Sequence, residues 1–180
     1  MKTEKTTIEG LLILKPSIFY DDRGSFFESY NQNRFKELGI TEEFVQDNQS
    51  CSAKGVIRGL HFQKPPYAQA KLVRVVKGAV LDVAVDLRSN SFTYGQHVSV
   101  LLSEENQLQF FIPVGFAHGF IALEDDTLFC YKCSAFYHKD SESTIRFDDP
   151  TLNIDWGIKD FIVNEKDLVG EDFANFKTVF

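Results

Sequence analysis

The sequence is poor in the residues that mark several common protein classes. Its 180 residues include three cysteines, one methionine, one tryptophan and five prolines. Three cysteines are too few for the disulfide framework of a small secreted protein. No uninterrupted apolar run approaches the ~20 residues that span a bilayer, and the first seven residues lack the apolar stretch of a secretory signal. We therefore expect a cytoplasmic protein that does not enter a membrane.

Positive charge is also scarce. The chain has 19 lysines and arginines against 26 aspartates and glutamates, a formal net charge of −7. A nucleic-acid backbone or an anionic membrane surface would require a basic patch, so neither is expected as the main partner. The apolar content of 43% is typical of a globular protein, and the length suits a single domain spanning residues 1–180.

Short stretches of β-branched and aromatic residues recur along the chain, separated by turn signals. Two of them, Lys71–Gly78 and Ala79–Leu87, meet at Lys77-Gly78 and predict a hairpin. Further strands are predicted at Gly10–Leu14, Ser25–Tyr30, Val56–Gln63, His97–Leu102, Leu108–Ile112, Gly119–Leu123, Leu128–Phe136 and Thr144–Phe147. Many short antiparallel strands indicate a sandwich or barrel, and 18 phenylalanines suit a β-rich interior.

Helical signals are few. Asn31 is placed to cap one short helix that ends at Gly39, and a last turn or two is predicted near Asn164–Asp167. In the strand Ala79–Leu87, Asp82 and Asp86 share one face. We expect these carboxylates to be exposed to solvent or paired with an arginine such as Arg88.

Two segments resemble the signature motifs of the cupin superfamily, small β-barrels with a site inside. Residues that keep the cupin spacing are Gly55, His61 and Gly78 in the first segment and Pro113, Gly115 and His118 in the second. Gln63 replaces the second histidine of the first motif, and Lys71 replaces its glutamate. Because a catalytic metal needs about three imidazole or carboxylate ligands, and Lys71 puts a cation in its place, we expect no metal.

Motifs over nearly the whole chain resemble the dTDP-4-dehydrorhamnose 3,5-epimerase family. They are Asp22-Arg23-Gly24-x-Phe26-x-Glu28, Gln46-Asp47-Asn48-x-Ser50, Gly55-x-x-Arg58-Gly59-Leu60-His61-x-Gln63, Asp86-Leu87-Arg88, Pro113-x-Gly115-Phe116-Ala117-His118-Gly119-Phe120, Tyr131-Lys132 and Asp148-Asp149-Pro150. The resemblance implies a mostly-β, cupin-type antiparallel barrel (jelly roll) with short peripheral helices. It also implies epimerisation at carbons 3 and 5 of dTDP-4-dehydro-6-deoxy-D-glucose, without a cofactor, in dTDP-L-rhamnose biosynthesis.

Epimerisation beside a ketone requires a general base, a group that stabilises the enolate, and an acid on the opposite face. By resemblance, His61 is the base and Asp167 its carboxylate partner. Lys71 then supplies the positive charge, and Tyr131 is the acid.

The resemblance further implies a set of substrate-binding residues and a homodimer. The set comprises Arg23, Glu28, Gln46, Asn48, Arg58, His118, Tyr137, Glu142 and Lys166. Arg23, Arg58 and Lys166 suit phosphate oxygens, and Tyr137 would stack on thymine. In a regular strand Arg58 and His61 point to opposite faces, a conflict that a bulge at Gly59 would relieve. Arg23 and Glu28 are expected to complete the partner's site.

Three alternative functions stay open on the sequence alone. A single-carbon 3- or 5-epimerase would share the fold and the ligand. A metal-dependent cupin oxygenase or isomerase would need a bound ion for activity. A non-catalytic sugar-nucleotide binder would not need His61, Lys71, Tyr131 and Asp167 together.

Overall fold

A computed structural model describes all residues, Met1–Phe180, and contains fourteen strands and two short α-helices. The strands are β1 (Lys2–Lys5), β2 (Leu12–Lys15), β3 (Phe19–Asp21), β4 (Gly24–Phe26), β5 (Gln46–Ser52), β6 (Val56–Gln63), β7 (Lys71–Lys77), β8 (Ala79–Asp86), β9 (His97–Ser103), β10 (Gln109–Ile112), β11 (Phe116–Ala122), β12 (Thr127–Cys133), β13 (Glu142–Thr144) and β14 (Ile162–Val163). The helices are α1 (Gln32–Glu37) and α2 (Glu165–Leu168). Neither helix has the length and apolar character that crossing a membrane would require.

The strands form two main sheets. The first has the order β1-β2-β10-β7-β12-β5, and the second has the order β13-β6-β11-β8-β9. Pairing is antiparallel, except that β14 runs parallel to β6. Strands β3 and β4 form a separate two-stranded ribbon. The predicted mostly-β architecture of antiparallel sheets with short peripheral helices is confirmed.

The predicted hairpin at Gly78 is wrong. Strand β7 pairs with β10 and β12 in the first sheet, whereas β8 pairs with β11 and β9 in the second. Gly78 has a φ of 78°, and a Cβ there would lie 2.5 Å from the hydroxyl of Thr127. The glycine therefore turns the chain from one sheet into the other rather than folding it back on itself.

The main core lies between the two sheets and joins side chains from both. It includes Val73 and Val75 of β7, Val80 and Ala84 of β8, and the fully buried ring of Phe129. A second cluster covers the outer face of the second sheet with residues of the C-terminal segment, among them Trp156 and Phe173. Both faces of β8 are consequently buried.

This double burial corrects one expectation about β8. Asp82 and Asp86 are both 0% exposed. Asp86 is paired with Arg88, as expected, at 2.8 Å to Nε and 2.7 Å to Nη2. Asp82 is neither solvent-exposed nor paired with an arginine, because its strand face looks into the protein interior.

Each helix begins at an asparagine cap, and the cap at Asn31 was predicted. The side chain of Asn31 accepts hydrogen bonds from the backbone N–H groups of Asn33 at 3.1 Å and Arg34 at 3.3 Å. Phe35 of α1 is buried against the outer face of the first sheet. Asn164 caps α2 by accepting from the N–H of Lys166, and this short turn places Asp167 inside the protein.

Candidate active site

A cavity of about 660 Å³ lies between the two sheets and is bordered by the segment that carries α2. Its polar lining comprises Asn48, Gln49, Ser50, Arg58, His61, Lys71, His118, Tyr131, Glu142, Asn164, Lys166 and Asp167. Phe120 belongs both to this wall and to the core between the sheets. The site thus occupies interior space that apolar side chains leave unfilled.

Strand register sets the wall contributed by the first sheet. Cys133 of β12 lies between Gln46 of β5 and Lys71 of β7. Tyr131, two residues earlier on the same face, pairs with Asn48. These positions belong to three adjacent strands, so their side chains form a row of polar groups next to the apolar core.

A bulge at Gly59 lets Arg58 and His61 line the same cavity. Strand β11 pairs His118 with His61 and Phe120 with Arg58, so two steps along β11 match three steps along β6. Gly59 has a φ of 131°, and a Cβ there would lie 2.5 Å from the Cα of Gly119. The predicted relief of the strand-parity conflict is confirmed, and only glycine fits at its centre.

His61 and Asp167 form a hydrogen-bonded pair. Nε2 of His61 lies 2.7 Å from Oδ1 of Asp167, whose Oδ2 accepts from the backbone N–H of Gly59 at 3.2 Å. Burial alone would raise the pKa of Asp167, but the hydrogen bonds from His61 and Gly59 lower it below its usual value. An ionised Asp167 fixes the proton of His61 on Nε2 and leaves Nδ1 as the basic nitrogen.

Lys71 and Tyr131 line the cavity together with His61. Nζ of Lys71 lies 3.5 Å from the carbonyl oxygen of His61. Burial lowers the pKa of Lys71, and the nearby Cys133, Asp82 and Glu142 partly counter this effect. Burial raises the pKa of the Tyr131 phenol, which keeps it protonated near neutral pH. The cavity therefore holds an imidazole, a lysine amine and a neutral phenol.

His118 pairs with Asp82, a residue that the sequence reasoning did not place in the site. Nε2 of His118 lies 3.0 Å and 2.9 Å from the two carboxylate oxygens of Asp82. Burial lowers the pKa of His118 even though the carboxylate raises it. The sequence does contain a signal for Asp82, since it alternates with Val80 and Ala84 in a strand whose other face is also apolar.

Glu142 connects two of the other expected binding residues, Tyr137 and Lys166. Its carboxylate accepts from the hydroxyl of Tyr137 at 2.9 Å and pairs with the ammonium of Lys166. Burial would raise the pKa of Glu142, but these two partners lower it. Gln46, beside them, accepts from the backbone N–H of Tyr137 at 2.9 Å. Gln46 and Tyr137 line a smaller adjoining cavity of about 130 Å³ that His61, Lys71 and Tyr131 also border.

Arg23 and Glu28 lie outside this cavity. Arg23 sits in the β3–β4 ribbon, and its guanidinium contacts Asp21. Glu28 contacts Asn31 and Arg34 instead. Within one copy of the chain, these two expected binding residues therefore do not join the others.

The residues at the cupin metal positions do not fit a metal ion. Lys71 brings a positive charge, and the amide of Gln63 is engaged by three backbone groups. His61 and His118 remain, and each is bonded to its own carboxylate. No group of three or more histidine, cysteine, aspartate and glutamate side chains is arranged to hold an ion.

The part of the chain that forms the cavity is similar to known proteins. A family model described as dTDP-4-dehydrorhamnose 3,5-epimerase matches residues 5–175. The Methanothermobacter thermautotrophicus enzyme of that name is 51% identical over 166 residues, covering 91% of this chain and 89% of its own. The Shigella flexneri enzyme is 50% identical over 176 residues, 97% of each chain.

Solved structures agree with this comparison. The dTDP-6-deoxy-D-glucose-3,5-epimerase of Legionella pneumophila Philadelphia 1, in complex with dTDP-4-keto-L-rhamnose, is 47% identical with a TM-score of 0.94. The match covers 98% of this chain and 94% of that one. The chain belongs to the dTDP-4-dehydrorhamnose 3,5-epimerase family.

Proposed function

We propose that this protein epimerises carbons 3 and 5 of dTDP-4-dehydro-6-deoxy-D-glucose to give dTDP-4-dehydro-L-rhamnose, a step towards dTDP-L-rhamnose. Family membership supports this activity. The observation that carries the mechanism is the His61–Asp167 pair in one cavity with Lys71 and Tyr131. The reaction is an isomerisation in which no electrons are gained or lost overall, so it needs no redox cofactor.

His61 acts first, as the general base. Its Nδ1 removes the proton from the carbon beside the ketone, the C–H electron pair forms an enolate, and negative charge develops on the carbon-4 oxygen. Asp167 stabilises the imidazolium that results, as a buried carboxylate does in a catalytic triad. Lys71 stabilises the enolate oxygen, a type of interaction worth about 3–4 kcal/mol in a preorganised site.

Tyr131 completes the epimerisation by donating its phenolic proton to the opposite face of the enolate. Burial raises the pKa of the phenol and so keeps it protonated until it donates its proton. His61 then returns its proton to the phenolate through solvent, which restores the starting state. The same cycle at the second carbon requires the sugar to present that carbon to the same two groups.

The remaining lining residues bind the nucleotide. Arg58 and Lys166 offer cations to the pyrophosphate, and Tyr137 stacks on the thymine base. Gln46 and Asn48 from the first sheet, and His118 and Glu142 from the second, supply further polar contacts. This arrangement directs the sugar towards His61 and the base towards the exposed ring of Tyr137.

We further propose that the functional unit is a homodimer in which Arg23 and Glu28 complete the partner's site. The β3–β4 ribbon has no third strand, and isolated two-stranded ribbons are marginally stable in water. Its Phe19, Tyr20 and Phe26 are all more than half exposed. An exposed aromatic surface of this kind is typical of an interaction site.

Incubation of the substrate in heavy water tests the reaction. NMR should detect deuterium at both carbon 3 and carbon 5 of the product. Label at one carbon only would identify a single-carbon epimerase, and no label would exclude the proposed proton transfer. Activity that disappears with a chelator and returns with a divalent metal would support the metal-dependent alternative.

Subunit mixing tests the shared site. The variants Arg23→Ala and His61→Ala should each be inactive as pure proteins. In a mixed dimer, one of the two sites would contain both intact residues, so random mixing should restore about a quarter of wild-type activity. Mixtures that stay inactive although exchange of subunits is demonstrated would contradict a shared site.

A further inference from the structure

Gln63 occupies the position at which cupins carry the second histidine, yet its side chain forms hydrogen bonds to backbone groups. It is the last residue of β6 and is only 5% exposed. Its Nε2 donates to the carbonyl oxygens of Tyr67 at 2.6 Å and Phe136 at 3.2 Å. Its Oε1 accepts from the backbone N–H of His138 at 2.7 Å. Because both amide protons are used, Gln63 has no donor left for a ligand.

These three bonds connect two loops, residues 64–70 and 134–138. The rings of Tyr67 and His138 also stack, with centroids 3.8 Å apart and an angle of 4° between their planes. The hydroxyl of Ser141 lies 3.0 Å from Nδ1 of His138. The residue that follows Tyr137 is therefore held through both its backbone and its side chain.

A second glutamine, from the other sheet, holds Tyr137 itself. Oε1 of Gln46 accepts from the backbone N–H of Tyr137 at 2.9 Å, and Nε2 of Gln46 donates to Asn48 at 3.0 Å. The consecutive N–H groups of Tyr137 and His138 thus bond to two glutamines, one from each main sheet. Fixing two successive N–H groups restrains the backbone dihedral angles that aim the Tyr137 ring.

The ring of Tyr137, by contrast, is left free to meet a ligand. The residue is 54% exposed, and none of the aromatic pairs in the protein includes it. Only its hydroxyl is held, by Glu142. A fixed backbone that carries an open ring is a preorganised stacking surface for a flat heterocycle.

We propose that Gln63 is a positioning residue for nucleobase binding, which acts with Gln46 to hold Tyr137 ready to stack on the pyrimidine of a nucleoside diphosphate. This proposal rests on the assignment of Tyr137 to the thymine base in the proposed function. Without these hydrogen bonds, the loop that carries Tyr137 would have to become ordered when the ligand binds, and the lost entropy would weaken binding. Preorganisation of one loop is worth roughly 3- to 10-fold in affinity.

The variant Gln63→Glu tests the proposal. It keeps the shape and the acceptor for His138 but places a carboxylate oxygen against two carbonyl groups. The matched control is Gln69→Glu, because Nε2 of Gln69 joins the same two loops through the carbonyl oxygen of Ala135, at 2.7 Å, without touching residues 137 or 138. Calorimetry gives the Kd for dTDP, steady-state kinetics give kcat and KM, and circular dichroism checks folding at the assay temperature.

We expect Gln63→Glu to raise the Kd for dTDP and the KM for the sugar nucleotide by the same roughly 3- to 10-fold. Its kcat should stay within about twofold of wild type, because the side chain of Gln63 hydrogen-bonds to backbone groups and not to His61, Lys71 or Tyr131. Gln69→Glu should leave the Kd unchanged. A lowered kcat with an unchanged Kd, or an equal loss of affinity in Gln69→Glu, would overturn the proposal.

A double-mutant cycle with Tyr137→Ala separates this inference from the proposed function. In the Tyr137→Ala background, Gln63→Glu should cause no further loss of dTDP affinity, whereas additive losses would refute a role through Tyr137. If Gln63→Glu does not fold, Gln63→Ala in the same cycle decides the question by the same criterion. Unchanged affinity in Tyr137→Ala alone would refute the stacking assignment and this inference together. A loss in Tyr137→Ala without one in Gln63→Glu would refute this inference alone.

Discussion

Asp167 accepts a hydrogen bond from Nε2 of His61 at 2.7 Å, although the two residues are 106 positions apart in the sequence. The short helix α2 and its Asn164 cap bring the carboxylate to the cavity. Its second oxygen is held by the N–H of Gly59, in the bulge that also turns Arg58 inward. The bulge and the helix together therefore set the position and the tautomer of His61, the proposed base.

Asp167→Asn should abolish most proton transfer while sparing ligand binding. The amide can still accept from Nε2, but the negative charge that strengthens the base is lost. We expect the rate of deuterium incorporation to fall by about 10²- to 10⁴-fold, with the Kd for dTDP changed by less than about threefold. Asp160→Asn, a change at an exposed position of the same segment, is the control. A full exchange rate in Asp167→Asn would refute the dyad.

Tyr131→Phe should uncouple hydrogen exchange from epimerisation. The variant removes the proposed acid, yet His61 can still take a proton and return one to the face from which it came. Deuterium should therefore enter at carbons 3 and 5, while the starting configuration is retained. NMR of the recovered sugar distinguishes retained from inverted configuration at the labelled carbons. Tyr94→Phe, outside the cavity, is the control. Normal yields of epimerised product would show that Tyr131 is not the acid.

Gly59→Ala should destabilise the fold and disrupt the site together. The added Cβ would lie 2.5 Å from the Cα of Gly119 and 2.7 Å from the carbonyl oxygen of His118, in a backbone conformation with a φ of 131°. We expect a loss of more than about 3 kcal/mol in the free energy of unfolding, measured with urea. Gly157→Ala is the matched control, because its φ is 72° but nothing lies within 4 Å. Equal losses in both variants would contradict the close contact as the cause.

The apolar strands and the asparagine-capped helices were predictable because their signals are local. Strand β6 was predicted with its observed bounds, Val56–Gln63. Asn31 caps α1 as expected, and α2 lies where a helical turn was predicted. Strand β5 was not predicted. Its sequence Gln46-Asp-Asn-Gln-Ser-Cys-Ser52 lacks hydrophobic alternation, because its inward side chains face the cavity rather than the core.

The pairing of strands and the contacts between distant residues could not be predicted from local sequence patterns. Strands β7 and β8 are adjacent in sequence and separated by a glycine, so they fit a hairpin as well as they fit a change of sheet. The burial of Asp82 depends on a C-terminal segment that covers the far side of β8. The bonds of Gln63 depend on loops whose course no residue pattern reveals.

Asp86 should make the stability of the protein fall in acid. Burial would raise its pKa, but hydrogen bonds from Arg88, Ser91 and Thr93 lower it from 3.8 to about 2. Since the folded pKa lies below the unfolded one, this stabilisation is complete above about pH 4 and is lost as the pH falls through about 2. The shift corresponds to about 2 kcal/mol in the free energy of unfolding at neutral pH. Urea unfolding at pH 6 and pH 3 measures it: Asp86→Asn should remove part of the difference between the two pH values, whereas Asp140→Asn, at an exposed position, should not. A pH dependence in Asp86→Asn as steep as in wild type would refute this assignment, because the carboxylate that loses its partners on protonation would then lie elsewhere.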